Sequence, residues 1–134
     1  MGTITDDPEI STIYEPINAV KYAKYPLGIS TLPRWRAKAV MTGLARQIQQ
    51  ALEGRRVIEV EEIKAEENPQ SIDWVIVRSS DGFIDGYISS HKQTEARRAR
   101  VEARISFYST NESDRADYDL VNPIVQLYLG KPKR

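Results

Sequence analysis

The stretch "ARRARVEARISFYST", residues 96–110, carries the clearest fold signal of the chain, because apolar and polar residues alternate strictly over 98–108. The apolar positions are Ala99, Val101, Ala103, Ile105 and Phe107. Side chains of a β-strand point alternately to the two faces of a sheet, whereas a helix would scatter these residues around its circumference. The stretch therefore predicts a strand with one aliphatic face and one face that carries arginine.

The segments upstream of this strand predict its neighbours in the sheet. "RRVIEVEEIKAE" (55–66) alternates with period two. "IDWVIVRS" (72–79) and "FIDGYISS" (83–90) are rich in β-branched and aromatic residues, and between them lies Asp81–Gly82, a dipeptide typical of two-residue hairpin turns. Together with the arginine-bearing strand, these segments predict a four-stranded antiparallel β-meander.

The segment before the meander predicts one long helix. In "LPRWRAKAVMTGLARQIQQALEG" (32–54), apolar residues recur at steps of three and four, which is typical of an amphipathic helix. Pro33 suits the first helical position, Thr31 the cap, and Gly54 the residue just past the end. We expect the apolar face of this helix to pack across the inner side of the sheet.

The remaining segments set the expected boundaries. "NPIVQLYLG" (122–130) favours a short C-terminal helix that begins at its Asn-Pro pair, with a strand as the alternative. We expect a flexible tail over 1–13, a single domain over 14–130 and a basic tail over 131–134. The fold class is then α+β, with one long amphipathic helix packed on a four-stranded antiparallel β-meander and a short C-terminal helix.

Composition narrows the class of protein. The chain has 134 residues, no cysteine, and 19 basic against 19 acidic residues. The absence of cysteine excludes disulfides, cysteine-ligated zinc and thiol nucleophiles. No apolar run approaches the ~20 residues of a membrane span, and no basic-then-apolar leader opens the chain. We expect a small soluble protein of the cytoplasm without a membrane partner.

The arginine-bearing face is the first candidate binding surface. Arg98, Arg100, Arg104 and Tyr108 share one face of the predicted strand. Guanidinium groups pair with phosphates and aromatic rings stack on bases, so the combination suits single-stranded nucleic acid. A protein partner could use the same face. Alternatively, charges on an edge strand only prevent edge-to-edge aggregation.

An acidic strand is the second candidate surface. Glu59, Glu61 and Glu62 lie on the first meander strand, whose alternation is interrupted at Glu61–Glu62, where a bulge would return Ile63 to the inner face. In a simple meander the acidic strand and the arginine strand form opposite edges, which makes the edges complementary between molecules. The sequence therefore favours a non-catalytic protein-interaction module (an adaptor, inhibitor, assembly factor or subunit), with a protein partner or a homo-oligomer.

Catalysis is the least supported alternative. The only histidine, His91, stands at a predicted strand end without an evident partner, and we expect no metal and no cofactor. The Glu62-x-Lys64 spacing is similar to the carboxylate–lysine pair of some metal-dependent nucleases, with Asp73 or Asp85 as the second carboxylate. A further alternative is a ligand pocket between helix and sheet, lined by aromatic residues: Trp35, Trp74 and Tyr87.

Overall fold

A computed structural model describes residues 16–23, 25–64, 73–92 and 97–130. Within these ranges the chain forms six strands and two helices. The strands are β1 (Val20–Tyr22), β2 (Gly28–Pro33), β3 (Ile58–Ile63), β4 (Asp73–Ser79), β5 (Ile84–Lys92) and β6 (Arg98–Ser109), and the helices are α1 (Arg34–Ala51) and α2 (Ala116–Leu129). The tails that the sequence predicts at 1–13 and 131–134 lie outside the described residues. The α+β class is confirmed.

The strands form one open antiparallel sheet. The four predicted meander strands are neighbours in the order β3–β4–β5–β6, as the sequence predicts. The sheet is larger than predicted because β1 and β2 also pair with β6, one after the other along its free edge. β6 has 12 residues, so it is long enough to hold β2 at its start and β1 at its end.

Both helices lie on the same face of the sheet, which is the face that carries the aliphatic side chains of β6. Val101, Ala103 and Ile105 are each 0% exposed and belong to the main core. α1 contributes the apolar positions that its spacing predicts, among them Met41, Leu44 and Ile48. The apolar side chains of β6 and those of α1 therefore pack in a single core.

The start of α1 differs from the prediction by one residue. Pro33 is the last residue of β2 and precedes the helix, which begins at Arg34. No side chain caps this end, because Thr31 belongs to β2. Gly54 follows the helix with φ +89°, in the left-handed conformation that its position predicts.

The C-terminal helix begins earlier than predicted. α2 runs from Ala116 to Leu129 and contains Pro123 inside it, although the Asn-Pro pair predicts a start at 122. Asp117 explains the earlier start in part, because negative charge in the first turn is favourable for the helix dipole. The carboxylate of Asp117 is also held by Arg55 and Arg56, at 2.7 and 2.9 Å. These tertiary contacts therefore stabilise helical turns before Pro123, which the sequence pattern does not predict.

Two glycines mark close approaches. A Cβ on Gly86 of β5 would overlap the backbone of Arg104 and Ile105 in β6. This agrees with the close contact that a glycine within a strand indicates. Gly43 of α1 faces the ring of Tyr128 in α2, where a Cβ would lie 3.5 Å from the ring. The two helices therefore pack closely at Gly43.

Candidate functional site

The arginine-bearing face of β6 points away from both helices. Arg98, Arg100, Arg104 and Tyr108 occupy alternate positions and share this face, as the alternation predicts. The prediction that β6 is an edge strand is wrong, because β5 flanks it on one side and β2 and β1 flank it on the other. The arginines therefore do not protect a free edge, and the acidic strand and the arginine strand are not the two edges of the sheet.

A buried glutamate lies between two of the arginines. Glu102 is 5% exposed. Its Oε2 lies 2.8 Å from Arg100 Nε and its Oε1 lies 3.0 Å from Arg104 Nε. The side chains of Arg100 and Arg104 are still 43% and 38% exposed. We call these three residues the arginine fork, because both guanidinium groups converge on one carboxylate.

β5 supplies the neighbours of the arginine fork. His91 stands opposite Arg100 in the register, and Ser89 stands opposite Glu102. The Ser89 hydroxyl lies 3.3 Å from His91 Nε2. Burial lowers the pKa of His91, and the two arginines of the fork lower it further, while Glu102 acts in the opposite direction. The imidazole is therefore neutral at pH 7.

The aromatic residues of this face are buried. Tyr108 is 4% exposed, so its ring is not a surface on which a base stacks. Trp74 and Tyr87 pack edge to face with a centroid distance of 6.4 Å, in a small cluster with Ile76 and Ile63. This cluster lies on the sheet face opposite the helices. The predicted ligand pocket between helix and sheet is therefore not lined by Trp74 and Tyr87.

The acidic strand β3 is an edge of the sheet, as predicted. Its pairing with β4 is continuous from Ile58 to Ile63, so the predicted bulge at Glu61–Glu62 does not occur. Because the alternation is unbroken, Glu59 and Glu61 share the face away from the helices. Glu62 lies on the helix side, with its Oε1 3.9 Å from Lys38 Nζ. The acidic residues thus do not share one face.

The carboxylates considered for catalysis do not converge. The register places Glu62 and Asp73 on the helix side of the sheet and Asp85 on the other side. Asp85 is 3% exposed. In the part of the chain that the structure describes, no group of three or more Asp, Glu or His side chains is arranged to hold a metal ion. Glu62, Asp73 and Asp85 therefore do not build one shared site.

A further cluster lies where β2 enters α1. The backbone N–H of Arg34 donates to the carbonyl of Arg97 at 2.9 Å, and Arg34 Nε donates to the carbonyl of Arg98 at 3.2 Å. Trp35 and Arg36 follow Arg34 in the first turn of α1, and the Trp35 side chain is 82% exposed. We call this group the basic corner: Arg34, Trp35, Arg36, Arg97 and Arg98.

The positive charge of the basic corner has few local counter-charges. Arg36, Arg97 and Arg98 form no ion pair with any carboxylate in the described ranges. Arg98 Nη2 donates to the carbonyl of Thr31 at 3.2 Å. The first turn of α1 holds no acidic residue. Cations at a helix N-terminus cost about 0.3–1 kcal/mol each, so a bound anion would offset this cost.

The basic corner is not evident from the sequence. Arg34 and Arg36 look like the solvated side of a helix, and Arg97 precedes the alternating stretch. The two segments are separated by 64 positions between Arg34 and Arg98, and only the pairing of β2 with β6 brings them together. The available signal was the tripeptide "RWR" (34–36), in which an aromatic residue stands between two arginines.

Comparisons with known proteins identify no relative: no protein-family model, curated protein or solved structure matches the chain. Neither helix in the described ranges is both long and apolar enough to cross a membrane. Function is therefore inferred from the contacts, exposure and charges of the chain itself.

Proposed function

We propose that the protein binds single-stranded nucleic acid at the basic corner. One observation carries the proposal: hydrogen bonds from Arg34 to the carbonyls of Arg97 and Arg98 bring together two distant arginine-bearing segments, and the residue next to Arg34 is a tryptophan that is 82% exposed. Guanidinium groups bind phosphates, and an exposed indole ring stacks on an unpaired base. Base–aromatic stacking is worth about 1–3 kcal/mol per base, which is enough to give the interaction a strong dependence on Trp35.

The proposal favours a single strand over a duplex. In a duplex the faces of the bases are covered by their neighbours, so an indole on the surface of a protein has no base to stack on. The net charge of the whole protein is zero, so binding depends on local contacts and not on a general positive field. With three or four phosphate contacts, log K should fall with log salt with a slope of about −2 to −3.

Fluorescence anisotropy tests the proposal with labelled single-stranded and duplex oligonucleotides at low and near-physiological salt. The variants are Trp35→Ala and the triple variant Arg36→Ala/Arg97→Ala/Arg98→Ala. We expect wild type to prefer the single strand, and Trp35→Ala to bind roughly 5- to 150-fold more weakly, because the stacking of one base is worth about 1–3 kcal/mol. The triple variant should also bind more weakly, because it loses its guanidinium contacts with phosphate. The triple variant should also have a shallower salt slope.

Arg46→Ala is the matched control, since Arg46 is an exposed arginine of the same helix outside the basic corner. It should bind as wild type does. The proposal is wrong if wild type fails to bind at low salt, or if Trp35→Ala and the triple variant keep wild-type affinity. Vesicles of anionic lipid serve as a second polyanion; if they bind more tightly than the oligonucleotides and independently of Trp35, the corner recognises charged surfaces and not bases.

Protein association is the second candidate function, and the exposed surface of α2 favours it. Leu120 is 42% exposed and Leu127 is 83% exposed, and they lie seven positions apart on one side of the helix with the exposed Pro123 between them. Exposed apolar groups at helical spacing fit a protein contact. The edge strand β3, with Glu59 and Glu61, offers a separate acidic surface to a basic partner.

Light scattering after size exclusion tests self-association through α2. We expect a concentration-dependent dimer that the double variant Leu120→Glu/Leu127→Glu converts to a monomer. A monomer at every concentration for wild type would remove self-association as an activity of this surface. Oligonucleotide binding by the same double variant should equal that of wild type, which keeps the two candidate functions separate.

A further inference from the structure

We infer that the arginine fork is a phosphate-binding subsite, and that it receives the terminal phosphate monoester of the strand bound at the basic corner. The inference rests on the proposed function for its ligand, but the fork is a separate cluster with its own contacts. Two partly exposed guanidinium groups that one buried carboxylate holds side by side suit a single group with two negative charges on their outer side. An internal phosphodiester carries one charge and needs only one arginine.

Glu102 holds the two arginines together. Positions 100 and 104 of an extended strand are separated by about 13 Å, yet both Nε atoms lie within 3.0 Å of one carboxylate. Glu102 is 5% exposed, so it lies beneath the guanidinium groups and leaves their outer sides to solvent. The fork is therefore preorganised, and a phosphate that binds there does not have to order two free arginine side chains.

The outer nitrogens of the fork are available to a ligand. Both arginines contact Glu102 through Nε, and their side chains remain 43% and 38% exposed. Arg100 Nε is buried and lies 2.8 Å from Glu102, so any donor offered to a ligand is one of the outer Nη nitrogens. The fork therefore retains unused donors, which phosphate oxygens accept strongly.

The surroundings of the fork supply further donors. His91 lies opposite Arg100 on β5, and Thr31 lies opposite Arg100 on β2. The neutral imidazole of His91 has one N–H to donate, and the hydroxyl of Thr31 has one O–H. Glu102 is the one carboxylate that is ion-paired with the fork among the described residues, and both of its oxygens already face arginine.

The position of the fork suits the end of a strand bound at the basic corner. Arg98 belongs to the corner and Arg100 to the fork, and their Cα atoms are about 7 Å apart along β6. This distance is close to one step between phosphates in an extended single strand. A base stacked on Trp35 would then be followed, one or two steps later, by a phosphate at the fork.

The test compares three labelled oligonucleotides of one sequence, which carry a 5′-phosphate, a 3′-phosphate or only hydroxyl ends. Wild type should bind one of the two phosphorylated forms about tenfold more tightly than the hydroxyl form, because charge-assisted hydrogen bonds from guanidinium groups to phosphate are strong. Arg100→Gln and Arg104→Gln should lose this preference while they bind the hydroxyl form as wild type does. Trp35→Ala should weaken all three forms equally and keep the preference.

Two further variants make the result interpretable. Arg104→Lys keeps the charge but loses the planar fork, so it should lose most of the preference even if Arg100→Gln fails to fold. Arg78→Gln changes an arginine on the same sheet face outside the fork and should keep the full preference. Circular dichroism establishes that each variant retains the wild-type fold.

Binding of inorganic phosphate alone tests the fork without a nucleic acid. We expect it to shift the arginine Nε–H resonances of the fork in NMR spectra at millimolar concentration, and not to do so in Arg104→Gln. Equal binding of phosphorylated and hydroxyl oligonucleotides, with no such shifts, overturns the subsite and leaves the proposed function standing. Shifts with phosphate but no oligonucleotide binding show instead that the fork binds a small phosphorylated ligand and that the proposed function is wrong.

Discussion

Replacing Asp117 by asparagine should destabilise the protein by about 2 kcal/mol, because this carboxylate joins three elements. Asp117 lies in the first turn of α2 and is 6% exposed. It accepts from Arg55 Nε at 2.7 Å and from Arg56 Nε at 2.9 Å, both in the turn after α1. Arg56 also contacts Asp81 in the β4–β5 turn at 2.5 Å. The cluster therefore ties α2 to α1 and to the hairpin.

The expected magnitude follows from the exposure of each partner. Removing one member of a fully buried ion pair costs about 3–5 kcal/mol. Arg55 is 42% exposed, so its pair is closer to a surface salt bridge, which is worth about 0–1 kcal/mol. Arg56 is 20% exposed and keeps Asp81 as a partner, so its charge is not left alone. Asparagine also retains one acceptor oxygen. Because the partners are partly exposed and partly compensated, the expected loss in the free energy of unfolding is about 2 kcal/mol.

Urea unfolding followed by far-ultraviolet circular dichroism measures the change, with a thermal melt as a second readout. For a chain of 134 residues, a loss of about 2 kcal/mol lowers Tm by about 6–8 °C. The control is Asp119→Asn in the same helix, where the carboxylate is 60% exposed and lies 3.5 Å from Arg115. It should change stability by less than about 0.5 kcal/mol. A loss in Asp117→Asn no larger than in the control would refute the reasoning.

Three other substitutions test the packing and the pH dependence. Gly43→Ala should stabilise the protein by about 0.5–1 kcal/mol in urea unfolding, because the helix gains propensity and the new methyl makes an ordinary contact with Tyr128. Gly86→Ala should cost more than about 3 kcal/mol or prevent folding, because its Cβ would overlap the backbone of Arg104; a soluble variant with a wild-type melt would contradict the contact. Burial lowers the pKa of His91 in the folded chain, so stability should be complete above about pH 6.5 and should fall as pH falls further. His91→Gln should remove this contribution to the change of stability between pH 7 and 5. An unchanged pH dependence of stability would contradict the lowered pKa of His91.

Local sequence patterns determined the central elements of this protein. The strict alternation of 98–108 predicted β6, the three- and four-residue steps after Pro33 predicted α1, and Asp81–Gly82 predicted the β4–β5 turn. Each of these signals lies within one element, and each reflects a period or a turn conformation that the backbone imposes. The same alternation correctly placed Arg98, Arg100 and Arg104 on one face.

The bulge predicted in β3 shows where local pattern fails. The sequence assigns Ile63 to the inner face because an apolar residue is expected in the main core. In the structure the register with β4 is unbroken, and Ile63 packs instead with Trp74 and Ile76 on the opposite face. A second apolar cluster on that face, built by neighbouring strands, removes the reason for the bulge.

Only the tertiary structure decided the surroundings of the arginines. The pairing of β1 and β2 with β6 converted a predicted edge strand into an interior one. It also brought Arg34, the residue before Trp35, into hydrogen-bond contact with the carbonyls of Arg97 and Arg98, while the fold buried Tyr108, which the sequence had offered as the stacking ring. Glu102 stood in the sequence as one more alternating charge, and burial made it the residue that holds Arg100 and Arg104 together. Alternation fixes the face on which a side chain lies, but its neighbours and its exposure depend on strands paired from distant parts of the chain.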